Sequence, residues 1–169
     1  LLVIGPRTDK DPAVGARLDR FLASDTVRWL GKLPAASLPG YLATAGVGLT
    51  PYVGSEFNRA SFPLKNLDYL AAGLAVVATD LPAVRWLDSE DVAVAKDQTE
   101  FLDLVHLAMR TPSDPAIEDR RRSFARSHAW KARSSALLAL LGEPSPDRPI
   151  STSANTTASN RTAVSLAKE

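Results

Sequence analysis

The sequence predicts an α/β fold, a Rossmann-like parallel sheet with flanking helices. Two observations carry this. Short apolar runs such as 1–4, 47–50 and 75–79 alternate with longer segments whose apolar residues recur at helical spacing, and that alternation implies parallel βαβ units with right-handed crossovers. The run Ala75-Val76-Val77-Ala78 is also apolar on both faces rather than alternating, as a strand inside a parallel sheet should be.

Taken in order, residues 1–5 read as a strand ending in a Gly-Pro turn. Residues 11–23 read as a helix with Val14, Leu18, Phe21 and Leu22 on one face. A strand at 27–30 is closed by Gly31. Residues 34–44 form a short helix that Pro39 and Gly40 are expected to interrupt. The strand 47–50 is followed by a polar stretch through Ser61, long for a compact α/β unit and therefore expected to be functional. Helix 63–72, strand 75–79, one helical turn at 82–87 and strand 91–95 follow. Helices at 98–110, 114–127 and 130–141 complete the pattern.

The stretch FPLKNLDYLAAGLAVVATD, residues 62–80, speaks most directly to function. Pro63 suits a first helical turn, because its fixed φ fits there and its missing N–H is not needed. Leu64, Leu67, Leu70 and Ala71 recur at helical spacing, and Gly73 ends the helix where a left-handed residue is wanted. Lys65 and Asp68 are the charged residues of this helix. A helix N-terminus favours anions, and Lys65 adds positive charge to it. Asp68 is placed to accept hydrogen bonds from sugar hydroxyls. A phosphate beside a ribose is the ligand this pairing predicts, although the same two residues at i, i+3 also make an ordinary charge pair on a solvated face.

At these residues the chain resembles the donor-binding half of GT-B-fold nucleotide-sugar glycosyltransferases, particularly the retaining class. The resemblance runs from residue 1 to about 141, through LLVIGP, VRWLGKLP, LPGYLATAGVGLTPY, the 62–80 stretch and HAWKARSSALLALL, in the family's order. The commonest pattern of the class has a glutamate eight residues before its second acidic residue. Here those positions hold Ala60 and Asp68. A subgroup with N…PLK…EYLAAG is closer, and it implies that Asn58 and Lys65 take over the contacts of the absent glutamate and glycines.

The resemblance implies a C-terminal GT-B half that lacks its first strand. Leu1 is not a methionine, and residues 1–4 already read as a buried strand, so the sequence is expected to be a fragment. In the strand order 3-2-1-4-5-6 the first strand is central, and 1–5 would be the second. The remaining strands should then split into a pair, 1–5 with 27–30, and a trio, 47–50, 75–79 and 91–95, separated by roughly 9–10 Å, two strand spacings. Residues 1–141 form the expected donor-binding domain.

Composition narrows the alternatives. The 169 residues are 45% hydrophobic with net charge +1 and no cysteine. That excludes disulfides and thiolate metal sites and gives no basic surface for nucleic acid. No apolar run approaches the ~20 residues a membrane span needs. The opening LLVIGP lacks a basic leader, so a cytoplasmic setting is expected, at the inner face of the membrane if the acceptor is lipid-linked. Arg120-Arg121-Arg122, preceded by Glu118 and Asp119, reads as a solvated helix face, with contact to anionic lipid as the alternative. The segment 142–169 is rich in Ser, Thr, Asn and Pro and is expected to be disordered. Its N-x-T matches at Asn155 and Asn160 are read as chance. His106 and His128 are assigned structural roles.

The expected donor-binding residues are Lys32, Leu33, Asn58, Ser61, Pro63, Leu64, Lys65 and Asp68. Lys32 and Leu33 sit in the turn after a strand's C-terminal end, which by resemblance lies against the nucleobase. Tyr52, Ser55, Asn58 and Ser61 offer hydroxyl and amide groups to a sugar. Neither a catalytic residue nor a metal or cofactor is expected in these residues, and the donor itself is a nucleotide-diphosphate sugar. By resemblance, a glycan or lipid-linked acceptor would be held by an N-terminal domain, in a retaining hexosyltransferase of bacterial surface polysaccharide or glycolipid synthesis. This part alone should not turn over. The alternatives are a sugar-nucleotide epimerase, for which the long loop supplies only Glu56, and a degenerate nucleotide-sugar binding module, favoured by Ala60.

Overall fold

The computed structural model describes residues 1–142. The expected disordered tail beyond Gly142, with Asn155 and Asn160, lies outside the described residues. The chain forms two compact units, Leu1–Ala129 and a second beginning at Trp130. The described part of the second is helix α8, Trp130–Leu140.

The first unit is α/β with two parallel sheets. β1 (Leu2–Val3) pairs with β2 (Arg28–Trp29). β3 (Val47–Thr50), β4 (Ala75–Thr79) and β5 (Val92–Ala95) form the second sheet, with β4 central. The pair and the trio are separate, as the strand order predicts. The register sets Val47 against Ala75 and Val76 against Val92, so the C-terminal ends of the three strands finish together.

Local chemistry sets the helices. α1 (Pro12–Leu22) starts on Asp11, whose carboxylate accepts from the N–H groups of Ala13 and Val14. After a 3-10 turn at Ala35–Ser37 comes α2 (Leu38–Leu42). Pro39 lies in its first turn, so it helps start α2 instead of interrupting it. α3 (Glu56–Ala60) forms inside the stretch expected to be a loop, capped by Ser55. α4 (Leu64–Ala71) begins one residue later than expected, with Pro63 as its N-cap. α5 (Pro82–Leu87), α6 (Gln98–Arg110) and α7 (Pro115–Ser127) follow the predicted order.

The core lies around β4. Val76 and Ala78 meet Leu70 of α4, Val84 and Leu87 of α5, Val92 of β5 and Ala125 of α7. Val77 is also fully buried but half a strand period out of phase, facing the opposite side, where α6 lies against the strands. Gly48 lets α4 come close to β3, because a Cβ there would collide with the Tyr69 ring. Gly73 takes φ +88°, and the N–H groups of Gly73 and Leu74 bond the carbonyls of Leu70 and Tyr69. That closes α4 in a Schellman motif.

Three expectations are corrected. Residues 1–4 do not form a buried strand: Leu1 is 58% exposed and Leu2 is exposed as well, because β1 has β2 as its one strand neighbour among the described residues. Of the apolar face of α1, Val14 and Phe21 are exposed, while Leu18 and Leu22 are partly buried. The arginine run is not simply solvated. Arg120 and Arg121 both bind the Asp91 carboxylate, at 2.7–3.0 Å, and Arg121 also donates to the carbonyl of Gly73. Arg122 pairs with Glu118 at 2.8 Å and Asp119 at 3.0 Å. The run clamps α7 to the ends of α4 and β5.

Candidate functional site

β3 and β4 deliver their C-terminal ends to one side of the sheet, where ligands of open α/β sheets bind. The segment after β3 folds back over this edge. Ser55 accepts from the N–H of Asn58 to start α3, and the Asn58 amide reaches back to the carbonyl of Val53 at 2.8 Å. The Ser61 hydroxyl donates to the carbonyl of Phe57 at 2.6 Å. This local bonding gives the short helix a fixed shape and turns the chain into Phe62 and Pro63, from which α4 starts. No side chain caps α4; the N–H groups of Leu64 and Asn66 bond the carbonyls of Phe62 and Pro63, and the positive end of the helix dipole faces this edge.

A cleft of about 300 Å³ lies between α3 and the start of α4. Asn58, Ser61, Pro63, Leu64 and Lys65 line it, which unites five of the eight expected residues. Asp68 does not line it. It lies one helical turn on and pairs with Lys65 at 3.3 Å, both side chains being more than half exposed. Lys32 and Leu33 follow β2 and are not among the lining residues. Ser55 is spent on the α3 cap. Glu56 is exposed and outside the lining. Leu64, expected in the apolar face of α4, is exposed and borders the cleft instead.

The residue that does turn inward in that first turn is Asn66, 0% exposed. It sits four residues before Leu70, on the same helix face, and accepts from the Thr50 hydroxyl at 2.9 Å. Its Nδ2 has no partner among the described residues. Thr79 donates to the carbonyl of Thr50. The first turn of α4 is thus tied to the ends of β3 and β4 by polar contacts that an apolar pattern does not reveal.

Asp80, at the end of β4, is held below the usual carboxylate range by hydrogen bonds from Arg85, with the charges of Lys96 and Arg59 adding to the effect. Phe57, Phe62, Tyr52 and Leu81 complete the cleft lining. Of these, Phe57, Phe62 and Leu81 were missed in the sequence, and the usable signal was the aromatic residue on either side of Asn58 and Ser61. His128 stacks on Phe124 at 4.4 Å and its Nδ1 lies 2.9 Å from that residue's carbonyl oxygen, a packing role as expected. His106 is exposed on α6. No group of three or more His, Cys, Asp or Glu suited to a metal occurs among the described residues, and no helix there is long and apolar enough to cross a membrane.

The model of the family described as "Glycosyl transferases group 1" matches residues 1–109. A relative from Bacillus subtilis (strain 168), "Putative teichuronic acid biosynthesis glycosyltransferase TuaH", is 30% identical over 107 residues. The match covers 62% of this chain and 27% of that protein. The chain therefore spans little more than a quarter of the length of this curated relative.

Proposed function

The chain belongs to the group 1 glycosyl transferases, and from that premise we propose that residues 1–141 bind the donor, a nucleotide-diphosphate sugar, for a retaining hexosyltransferase of the GT-B type. The observation that carries this reading is the convergence of Asn58, Ser61, Pro63, Leu64 and Lys65 on one cleft, at the uncapped start of α4 and the C-terminal edge of the sheet.

In this reading the diphosphate sits at the N-terminus of α4. As the sugar departs, negative charge grows on the leaving diphosphate, and the helix dipole and Lys65 stabilise it where it forms. The helix backbone does not have to move to do so, because Thr50 and Asn66 fix the first turn of α4 against the sheet. Asp68 exchanges its exposed contact with Lys65 for the ribose hydroxyls, which frees the ammonium for phosphate. Lys32 and Leu33 face the nucleobase. The sugar extends toward Asn58 and Ser61, and the acceptor, a glycan or lipid-linked saccharide, is held by another part of the full-length protein at the cytoplasmic side of the membrane. The retaining course rests on the resemblance of residues 62–80.

The test is calorimetry on the full-length protein with Lys65→Ala. Nucleoside diphosphate binding should weaken strongly, and more at low salt than at high, because an exposed charge contact is screened. Binding of the bare nucleoside should hardly change. Equal losses for the two ligands would remove Lys65 from the phosphate site and overturn the assignment. Donor hydrolysis by the same protein separates a transferase from a binding module.

A further inference from the structure

We propose that Thr50 and Asn66 are a positioning pair that adds nothing to stability: it aims the start of α4 so that the site favours the free, leaving diphosphate over the esterified diphosphate of the donor. This rests on the reading of the cleft as the donor site and deepens it, because it names the residues that act through Lys65.

Asn66 is 0% exposed and Thr50 3%, and the Thr50 hydroxyl donates to Oδ1 of Asn66 at 2.9 Å. Nδ2 of the same amide has no partner among the described residues. A hydrogen bond between neutral groups gains little net stability, because both groups bond water in the unfolded chain. A buried donor left unpaired loses its hydration outright, and that loss is at least as large as the gain. Valine and leucine have nearly the shapes of threonine and asparagine and would fill the same space with no amide to desolvate. Stability therefore does not account for the pair.

Direction does. Leu67 and Leu70 rest on the core around β4 and set how deeply α4 sits, but apolar packing is non-directional. A hydrogen bond is directional. The start of α4 has no side-chain cap, and the bonds from Leu64 N–H to Phe62 and from Asn66 N–H to Pro63 stay within the turn. The Thr50–Asn66 bond instead runs from that turn to the end of β3, so it fixes the turn's rotation against the sheet. Lys65 is the preceding residue, and its exposed side chain takes its aim from that backbone. A mobile ammonium can still find an esterified phosphate. Stabilising the charge that appears as the sugar leaves needs groups already in place.

The experiment is calorimetry on the full-length protein at about pH 8, above the second ionisation of a terminal phosphate at about 6. UDP, dTDP, GDP and ADP are screened for the nucleoside diphosphate that binds. That nucleotide is then compared with its β-methyl ester, which lacks the charge the leaving group gains. The wild type should prefer the free diphosphate by about tenfold or more, the scale of hydrogen bonds to a charged group. Thr50→Val with Asn66→Leu should bring this preference toward one and leave the Kd of the ester nearly unchanged. The same double variant should unfold in denaturant at the wild-type midpoint or above it. Thr50→Ser keeps the hydroxyl and should keep the preference. Lys65→Ala should already lose it, and adding the double substitution should then change nothing further. The proposal is overturned, with the donor reading intact, if the double variant fails to fold, unfolds at a clearly lower midpoint or keeps the preference. Loss of the preference in Thr50→Ser, or a further loss on top of Lys65→Ala, overturns it equally. If none of the four diphosphates binds, or if the wild type has no preference or Lys65→Ala retains it, the placement of the diphosphate at Lys65 fails and the pair's role falls with it.

Discussion

β3, β4 and β5 sit in a shell of α4, α5, α6 and α7, and the residues of β4 are buried on both faces. β1 and β2 are equally parallel and equally legible as strands, yet Leu1, Leu2 and Trp29 remain exposed, as do Val14 and Phe21 of α1. The difference teaches that an apolar run announces a strand without announcing how firmly the strand is held. That depends on neighbours in the sheet and on a helix laid across it. The proposed donor site draws on both regions: Lys65 and Asn58 stand on the firmly held part, and Lys32 and Leu33 on the loosely held one. Binding strength should come mainly from the first.

The largest effect expected in the firm region comes from Asp91, whose side chain is 4% exposed. Burial pushes its pKa up, but the hydrogen bonds from Arg120 and Arg121 outweigh this and hold it below the usual value. Asp91→Ala takes the carboxylate from the largely buried Arg121 and leaves Arg120 with Glu90 alone, and should cost about 3–5 kcal/mol in denaturant unfolding. The wild-type contribution is present above the unfolded carboxylate value of about 3.9. It is lost as pH falls through the lower folded value, because the unfolded chain then binds the proton more readily. Unfolding midpoints followed from neutral pH into acid should show this loss in the wild type, and a much smaller one in Asp91→Asn. Identical acid profiles would remove the clamp from the account of α7.

Next comes Leu70, 0% exposed at the meeting of α4 and β4. Leu70→Ala should cost about 2–5 kcal/mol through the cavity it leaves. Gly48→Ala should follow at about 1–3 kcal/mol, because the added methyl meets the Tyr69 ring and α4 must back away from β3. Gly48→Ala combined with Tyr69→Ala separates the cause: if the ring is what the methyl meets, the double variant costs less than the sum of the singles. Strict additivity would place the strain elsewhere.

The order of strands and helices and the helix–Gly–strand unit were legible, because each depends on local spacing and on turn residues such as Gly73, whereas the split into pair and trio followed only from the family resemblance and its strand order. Five of the eight site residues converge because they flank one helix start. What stayed hidden depends on contacts between distant residues. Asn66 looks like a surface residue until Leu70 fixes which face of α4 turns inward. Arg120 and Arg121 look solvated until Asp91, about thirty positions earlier in the chain, is brought beneath them. α3 is a five-residue helix, too short for an apolar period, and Ser55 as a cap was its one visible sign. Phe57 could not be placed without knowing that α3 bends over the cleft.

The smallest expected effect is the sharpest test of the comparison. Val14 and Phe21 have the spacing of a core-facing stripe on α1, and by pattern alone Phe21→Ala should rival Leu70→Ala. In the structure Phe21 is 44% exposed, so truncating it removes little surface that folding had taken from water. The expected cost is within about 0.5 kcal/mol, the range of ordinary surface substitutions. Amide hydrogen exchange on the same protein should agree. The amides of Val76, Val77 and Ala78 should exchange through the rarest openings, and those of β1, β2 and α1 through frequent local ones. A cost for Phe21→Ala of a few kcal/mol, together with slow exchange across α1, would mean that a face of α1 is covered in solution. The contrast between the two regions would then collapse.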